Sequence, residues 1–251
     1  MRSLQSNTSL DMMLQISMGN FPNISHINKF GENSNVVADS KEHVWDGGGI
    51  YSFPETALIT HVSQTADQAT MRGATVEIQG LDATWNRITQ TINLNGTNTT
   101  TIVALGTALL RVFRMKVLAN VVSTSPIRCH NAGETIDYAE IETGNNQTLM
   151  ALYSIPNGKT GYMTSYYGDV VEITGKEPKS TEFTLWVADR SNNYAFQLKH
   201  EKAITKGASG FQHIFNPYMK ITQRCDIAIM AAPSDEAAHI HAGFDIILIN
   251  N

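Results

Sequence analysis

Residues 75–96 read TVEIQGLDATWNRITQTINLNG, and this stretch decides the fold class. Apolar and polar residues alternate in two runs, the first of which carries Val76 and Ile78. The second run places apolar residues on one face and polar residues on the other, namely Ile88, Ile92 and Leu94 against Thr89, Thr91 and Asn93. A period of two residues is typical of a strand with one buried face, and the Asn95-Gly96 that follows suits a tight hairpin turn. The stretch therefore predicts antiparallel β-structure.

The same alternation recurs along the whole chain, with Gly, Asn and Asp between the runs. Short strands at such spacing are typical of β-sandwiches. We predict an all-β chain of two tandem antiparallel β-sandwich domains, jelly-roll-like, preceded by an N-terminal arm. The arm covers residues 1–19, the first domain residues 20–143 and the second residues 144–251; a single elongated double-sheet domain is the alternative. Residues 20–49 are predicted to be irregular, and residues 119–145 are the predicted junction between the two domains.

Composition excludes several classes of partner. Charged residues make up 16% of the chain and the net charge is -5, against about 25% charged residues in an average soluble domain. No basic run is long enough for a nucleic-acid surface, and no apolar run reaches the roughly 18 residues of a membrane span. Cys129 and Cys225 lie far apart and are predicted to be buried thiols rather than a disulfide.

The sharpest candidate for chemistry is the pair His239 and His241. Residues two apart on a strand share a face, so both imidazoles could bind one metal ion. A third ligand would have to come from elsewhere, such as His213, Asp226 or Asp245. This spacing alone is a weak signal, so we predict no metal site and no cofactor. A metal-dependent enzyme built on the two histidines stays open as a hypothesis.

The sequence predicts that the chain is not an enzyme. The Gly-x-Ser-x-Gly elbow of serine hydrolases is absent, and 168–176 departs from the spacing of a phosphate loop. Aromatic residues favour carbohydrate binding as the alternative function, with a host surface glycan as the ligand. The residues concerned are Trp45, Trp85, Trp186, Tyr166 and Tyr167.

Six segments carry a resemblance to a known family. They are MGNFPN at 18–23, INKFG at 27–31, VWDGGG at 44–49, GNNQTLMALYSIP at 144–156, GFQH at 210–213 and AGFDIIL at 242–248. Together they resemble the small virion structural proteins of tailed bacteriophages, especially marine and freshwater phages. The resemblance implies a capsid decoration (cement) or tail-associated building block, without enzyme activity. It also implies a place in the virion, which is assembled in the host cytoplasm, and the major capsid or tail proteins as partners.

The N-terminal arm lies outside the shared motifs. It is rich in apolar residues without a clean period, namely Leu10, Met12, Met13, Leu14, Ile16 and Met18. Apolar side chains left in water are unfavourable, so we expect the arm to pack on another subunit of a homo-oligomer. Deleting residues 1–17 is accordingly expected to leave the sandwiches folded and to weaken assembly.

Overall fold

A computed structural model describes residues 11–118, 121–173, 175–189, 193–208 and 210–251. Within these ranges regular structure is nearly all β, and every sheet is antiparallel, which confirms the predicted fold class. The helices found there are α1 (Met12–Ser17) and a 3₁₀ turn (Ala69–Met71). No helix in the described part of the chain is long and apolar enough to cross a membrane. Cys129 and Cys225 are buried thiols, as predicted.

A large sandwich contains two sheets. One sheet, which we call the outer sheet, has the order β1 (Ile24–Val36), β16 (Ala238–Asn250), β11 (Lys159–Glu172) and β14 (Phe211–Ile221). Its second sheet has the order β10 (Leu152–Ser154), β15 (Asp226–Pro233), β12 (Ser180–Ala188) and β13 (Phe196–Thr205), and β2 (Glu42–His43) pairs with β15. Apolar residues from both sheets form one core, in which the rings of Phe183 and Phe211 lie 5.1 Å apart.

A small sandwich is built from the middle of the chain. One sheet has the order β6 (Val103–Leu109), β3 (Ile59–Gln64), β8 (Ile127–His130) and β9 (Asp137–Ile141). The other has the order β5 (Arg87–Asn93), β4 (Thr75–Leu81) and β7 (Arg111–Val117). A second core, which includes the fully buried Ile59, Ile78, Met115 and Tyr138, holds the two sheets together.

Both ends of the chain contribute to the large sandwich. β1 pairs with β16 along nearly its whole length, and β2 pairs with β15, whereas residues 59–141 form the small sandwich. The prediction that residues 20–49 are irregular was wrong, because they contain β1 and β2. The inward face of β1 makes backbone and polar contacts and lacks the row of large apolar side chains that would have indicated a strand. Residues 119–145, the predicted junction, contain β8 and β9. The division of the chain at residue 143 remains a prediction.

The stretch at 75–96 forms β4 and β5, which pair in register from Thr75 with Asn93 to Leu81 with Arg87. The predicted outward row of Thr89, Thr91 and Asn93 is exposed. The turn lies at residues 82–86 instead of at Asn95-Gly96, because the Asp82 carboxylate accepts the backbone N–H groups of Thr84 and Asn86. Residues 95–102 instead form the connection from β5 to β6.

The arm is described from residue 11 onward, and Leu10 lies outside the described residues. Asp11 caps α1 by accepting the backbone N–H of Met13 at 2.9 Å. α1 packs on β1 with Ile16 buried, and Met12, Leu14 and Met18 remain exposed. Three of the five apolar side chains of residues 11–19 are therefore exposed to solvent.

Candidate functional site

His239 and His241 lie on the outer face of β16, where their neighbours Ile240 and Ala242 point into the core. The two imidazole rings are 4.5 Å apart between centroids and meet edge to face. Both side chains are about one-quarter exposed, so solvent reaches them. The pair is thus half-buried and open to small solutes.

Strand register adds two carboxylates to this pair. Glu32 on β1 and Asp169 on β11 both lie directly opposite His241, and side chains directly opposite in an antiparallel pair share a face. Glu32 Oε1 lies 2.7 Å from His239 Nε2, and Asp169 Oδ1 lies 2.8 Å from His241 Nδ1. We call Glu32, Asp169, His239 and His241 the histidine–carboxylate cluster.

Neighbouring groups shape the cluster further. Phe30 stacks on His241 with the ring centroids 5.7 Å apart, which fixes the orientation of that imidazole. Glu142 interacts electrostatically with Glu32 and His239. Burial raises the pKa of the Glu142 carboxyl group, the charge of Glu32 raises it further, and His239 lowers it. Ser34 Oγ donates a hydrogen bond to Glu142 at 3.4 Å. The cluster is therefore a site of negative potential around two imidazoles.

The three suggested third ligands are engaged elsewhere. His213 stacks on His200 with centroids 3.9 Å apart. Asp226 is buried against Arg111, whose Nη2 lies 2.7 Å from Oδ2. Asp245 Oδ1 accepts from Asn28 at 2.8 Å and contacts His26 Nε2 at 3.2 Å; the hydrogen bond from His26 is the main cause that lowers the pKa of Asp245.

A groove of about 500 Å³ lies where the two sandwiches meet. Trp85 and Tyr194 stack in it with centroids 6.2 Å apart, and the Arg111 guanidinium lies 5.0 Å from the Trp85 ring centroid. Of the other aromatic candidates, Trp45 and Tyr166 are buried in the cores, and Trp186 and Tyr167 are half-buried on sheet faces. Only Trp85 among the predicted residues lines this groove, and its ring, which belongs to the core, is 8% exposed.

A cleft of about 410 Å³ lies beside β1 and is lined by Lys29, Arg87 and Arg114, of which the two arginines carry positive charge. Lys29 Nζ donates to the backbone oxygen of Phe113. Burial lowers the pKa of Lys29 to about 7, and the charge of Arg114 lowers it further. An anionic group is the ligand chemistry that such a lining suits.

The two edges of the outer sheet differ in character. β1 is one end strand, and α1 packs beside it with three apolar side chains exposed. β14 is the other end strand, and it exposes 66% of Ile214 and 49% of Tyr218. An end strand presents unpaired backbone N–H and C=O groups, which readily pair with another chain.

No protein-family model and no curated protein matches this chain. Among solved structures, the infectious bursal disease virus Gt strain is similar at 10% identity and a TM-score of 0.23, over 96% of this chain and 78% of that chain. The Gx strain of the same virus is similar at 8% identity and a TM-score of 0.28, over 91% of this chain and 73% of that chain. TM-scores this low do not establish a common fold.

Sequence reasoning found the two histidines and missed Glu32 and Asp169. Glu32 belongs to a segment predicted to be irregular, and Asp169 lies in the middle of a long strand. A usable signal was present in β11, where Tyr167, Asp169 and Val171 alternate with Tyr166, Gly168 and Val170. That alternation predicts which face of the strand carries Asp169. It does not predict that Asp169 lies opposite His241, because this depends on the register of β11 against β16.

Proposed function

We propose that the chain is a non-enzymatic structural protein of a tailed-phage virion, a capsid decoration (cement) or head–tail surface component. It assembles as a homo-oligomer and binds the major capsid protein or the tail proteins of the same particle, which forms in the host cytoplasm. The sequence motifs that resemble those of phage virion proteins support the virion role. The geometry of the outer sheet supports the assembly.

The observation that carries the proposal is the contrast between the two edges of the outer sheet. One edge presents the exposed apolar side chains of α1, and the other presents β14 with Ile214 and Tyr218 exposed. Two different surfaces at opposite edges suit head-to-tail contacts, which close into rings when the rotation between copies permits. In a particle with many copies, weak contacts of this kind sum to high avidity.

Mass spectrometry of purified virions tests the virion role directly. We expect peptides of this chain in gradient-purified particles at a copy number comparable with that of other structural proteins. Their absence from intact particles would contradict the proposal.

Replacing Ile214 by Asp should weaken self-association at least about tenfold, because a charge would have to be buried at a contact that now buries an apolar side chain. The matched control is Ile50→Asp, since Ile50 is also 66% exposed but lies in a loop outside the outer sheet. Analytical ultracentrifugation over a concentration series measures the effect. A wild-type chain that stays monomeric throughout, or equal association of both variants, would refute the assembly edge.

A carbohydrate-binding host-attachment module is the second candidate, and the Trp85–Tyr194 groove favours it. Stacked rings beside polar groups offer both the apolar face and the hydrogen bonds that sugars need. This candidate predicts that Tyr194→Ala weakens polysaccharide binding several-fold, whereas Tyr218→Ala, which removes a similarly exposed ring from β14, leaves it unchanged. An array of bacterial surface polysaccharides without a hit would count against it.

A further inference from the structure

We propose that Glu32, His239 and His241 bind a divalent first-row transition-metal ion, with Asp169 positioning His241. One ligand atom from each of the three residues lies within 4.8 Å of the others. Two imidazoles and one carboxylate are a donor set that Zn²⁺ and related ions accept, with water completing the coordination.

His241 is held in an orientation that leaves its Nε2 available to bind a metal ion. Its Nδ1 lies 2.8 Å from Asp169 Oδ1, so Nδ1–H donates a hydrogen bond to the carboxylate and Nε2 keeps a free lone pair. Phe30 holds the ring from one side. A carboxylate behind a histidine is the arrangement that orients metal-bound imidazoles in proteins.

The geometry of His239 supplies a second, independent observation. Its Nε2 is buried and lies 2.7 Å from Glu32 Oε1, an ion pair when the imidazole is protonated, although the alignment of the two atoms falls outside hydrogen-bond geometry. An ion between them would separate the atoms to about 3.3 Å, the spacing of two ligands about 2.0–2.1 Å from a tetrahedral centre. Half-buried side chains can make such a movement by small torsional changes.

The surrounding charge favours a cation. Glu32, Asp169 and Glu142 place three carboxyl groups around the two imidazoles. A divalent ion would compensate this charge and would connect β1, at the beginning of the described chain, with β16 at its end. The register of β1 against β16 becomes irregular between Asn33 and Val36, just after Glu32, so the ion would stabilise the last regular part of this strand pair. Such a site is compatible with the virion role and independent of it.

Isothermal titration of the full chain with ZnCl₂, after EDTA treatment and its removal, tests the site. We expect saturable binding of one ion per chain and a rise in the thermal unfolding temperature that EDTA reverses. Glu32→Gln and His239→Gln should each weaken Zn²⁺ binding by more than the roughly tenfold expected for Asp169→Asn.

His26→Gln is the matched control, because His26 and Asp245 form another histidine–carboxylate pair on the same two strands. This variant should bind Zn²⁺ like the wild type. Circular dichroism of the metal-free variants verifies that each is folded. No saturable binding by the wild-type chain, or equal binding by the wild type and the Glu32→Gln and His239→Gln variants, would overturn the site.

Discussion

Replacing Asp226 by Asn should lower the free energy of unfolding by about 3–5 kcal/mol, because it leaves the Arg111 guanidinium buried without its counter-charge. The side chains of Arg111 and Asp226 are only 7% and 3% exposed. Arg111 Nε and Nη2 reach the two carboxylate oxygens at 2.8 and 2.7 Å, and Ser154 Oγ donates to the same carboxylate. Arg111 begins β7 of the small sandwich and Asp226 begins β15 of the large one, so the pair also joins the two sandwiches.

Urea denaturation followed by circular dichroism measures this loss. The control is Glu182→Gln in the pair with Lys41, where both side chains are 36% exposed. That change should cost less than about 1 kcal/mol, since exposed ion pairs contribute little. The double variant Arg111→Met with Asp226→Asn should recover part of the loss because no unpaired charge stays buried. An Asp226→Asn chain within about 1 kcal/mol of the wild type would contradict the expected role of the pair.

Much of the β-structure could be predicted where one face of a strand is apolar. β4 and β5 were predicted for this reason, and the alternation at Val76 and Ile78 matches the full burial of both side chains. The hairpin turn was wrongly placed because Asn95-Gly96 is a local preference. The turn lies between β4 and β5 instead, where the Asp82 side chain accepts backbone hydrogen bonds and Trp85 has a positive φ of 67°.

β1 could not be predicted because the inward positions in its middle are not apolar, although Ile27 and Val36 near its ends reach the core. Lys29, Gly31 and Asn33 point inward. The side chain of Lys29 finds its partner far away in the chain, and that of Asn33 finds one across a turn. Lys29 Nζ donates to Phe113 O, and Asn33 Nδ2 donates to His43 O at 3.1 Å. A pattern of apolar residues cannot signal contacts of this kind. The candidate metal site was incomplete for the same reason, since Glu32 reaches His239 only through this strand.

Replacing Gly31 by Ala should destabilise the fold by about 3 kcal/mol, at the upper end of the usual cost of overpacking. A methyl group on Gly31 would lie 2.2 Å from the backbone N of Ala151 and 2.4 Å from the backbone O of Val44. Those two atoms are joined by a hydrogen bond of 2.9 Å, so the new methyl group would be forced against both the donor and the acceptor. Backbone on both sides leaves no flexible side chain to move aside.

Gly96→Ala is the control, because a methyl group there meets no atom within 4 Å. It should stay within about 1 kcal/mol of the wild type in the same urea titration. If Gly31→Ala unfolded at the wild-type midpoint, β1 could not lie against the Ala151–Val44 hydrogen bond. The register that brings Glu32 to His239 and His241 would then be wrong as well, since Glu32 follows Gly31 directly on the same strand. The stability of one glycine variant therefore tests both the least predictable strand and the metal site that depends on it.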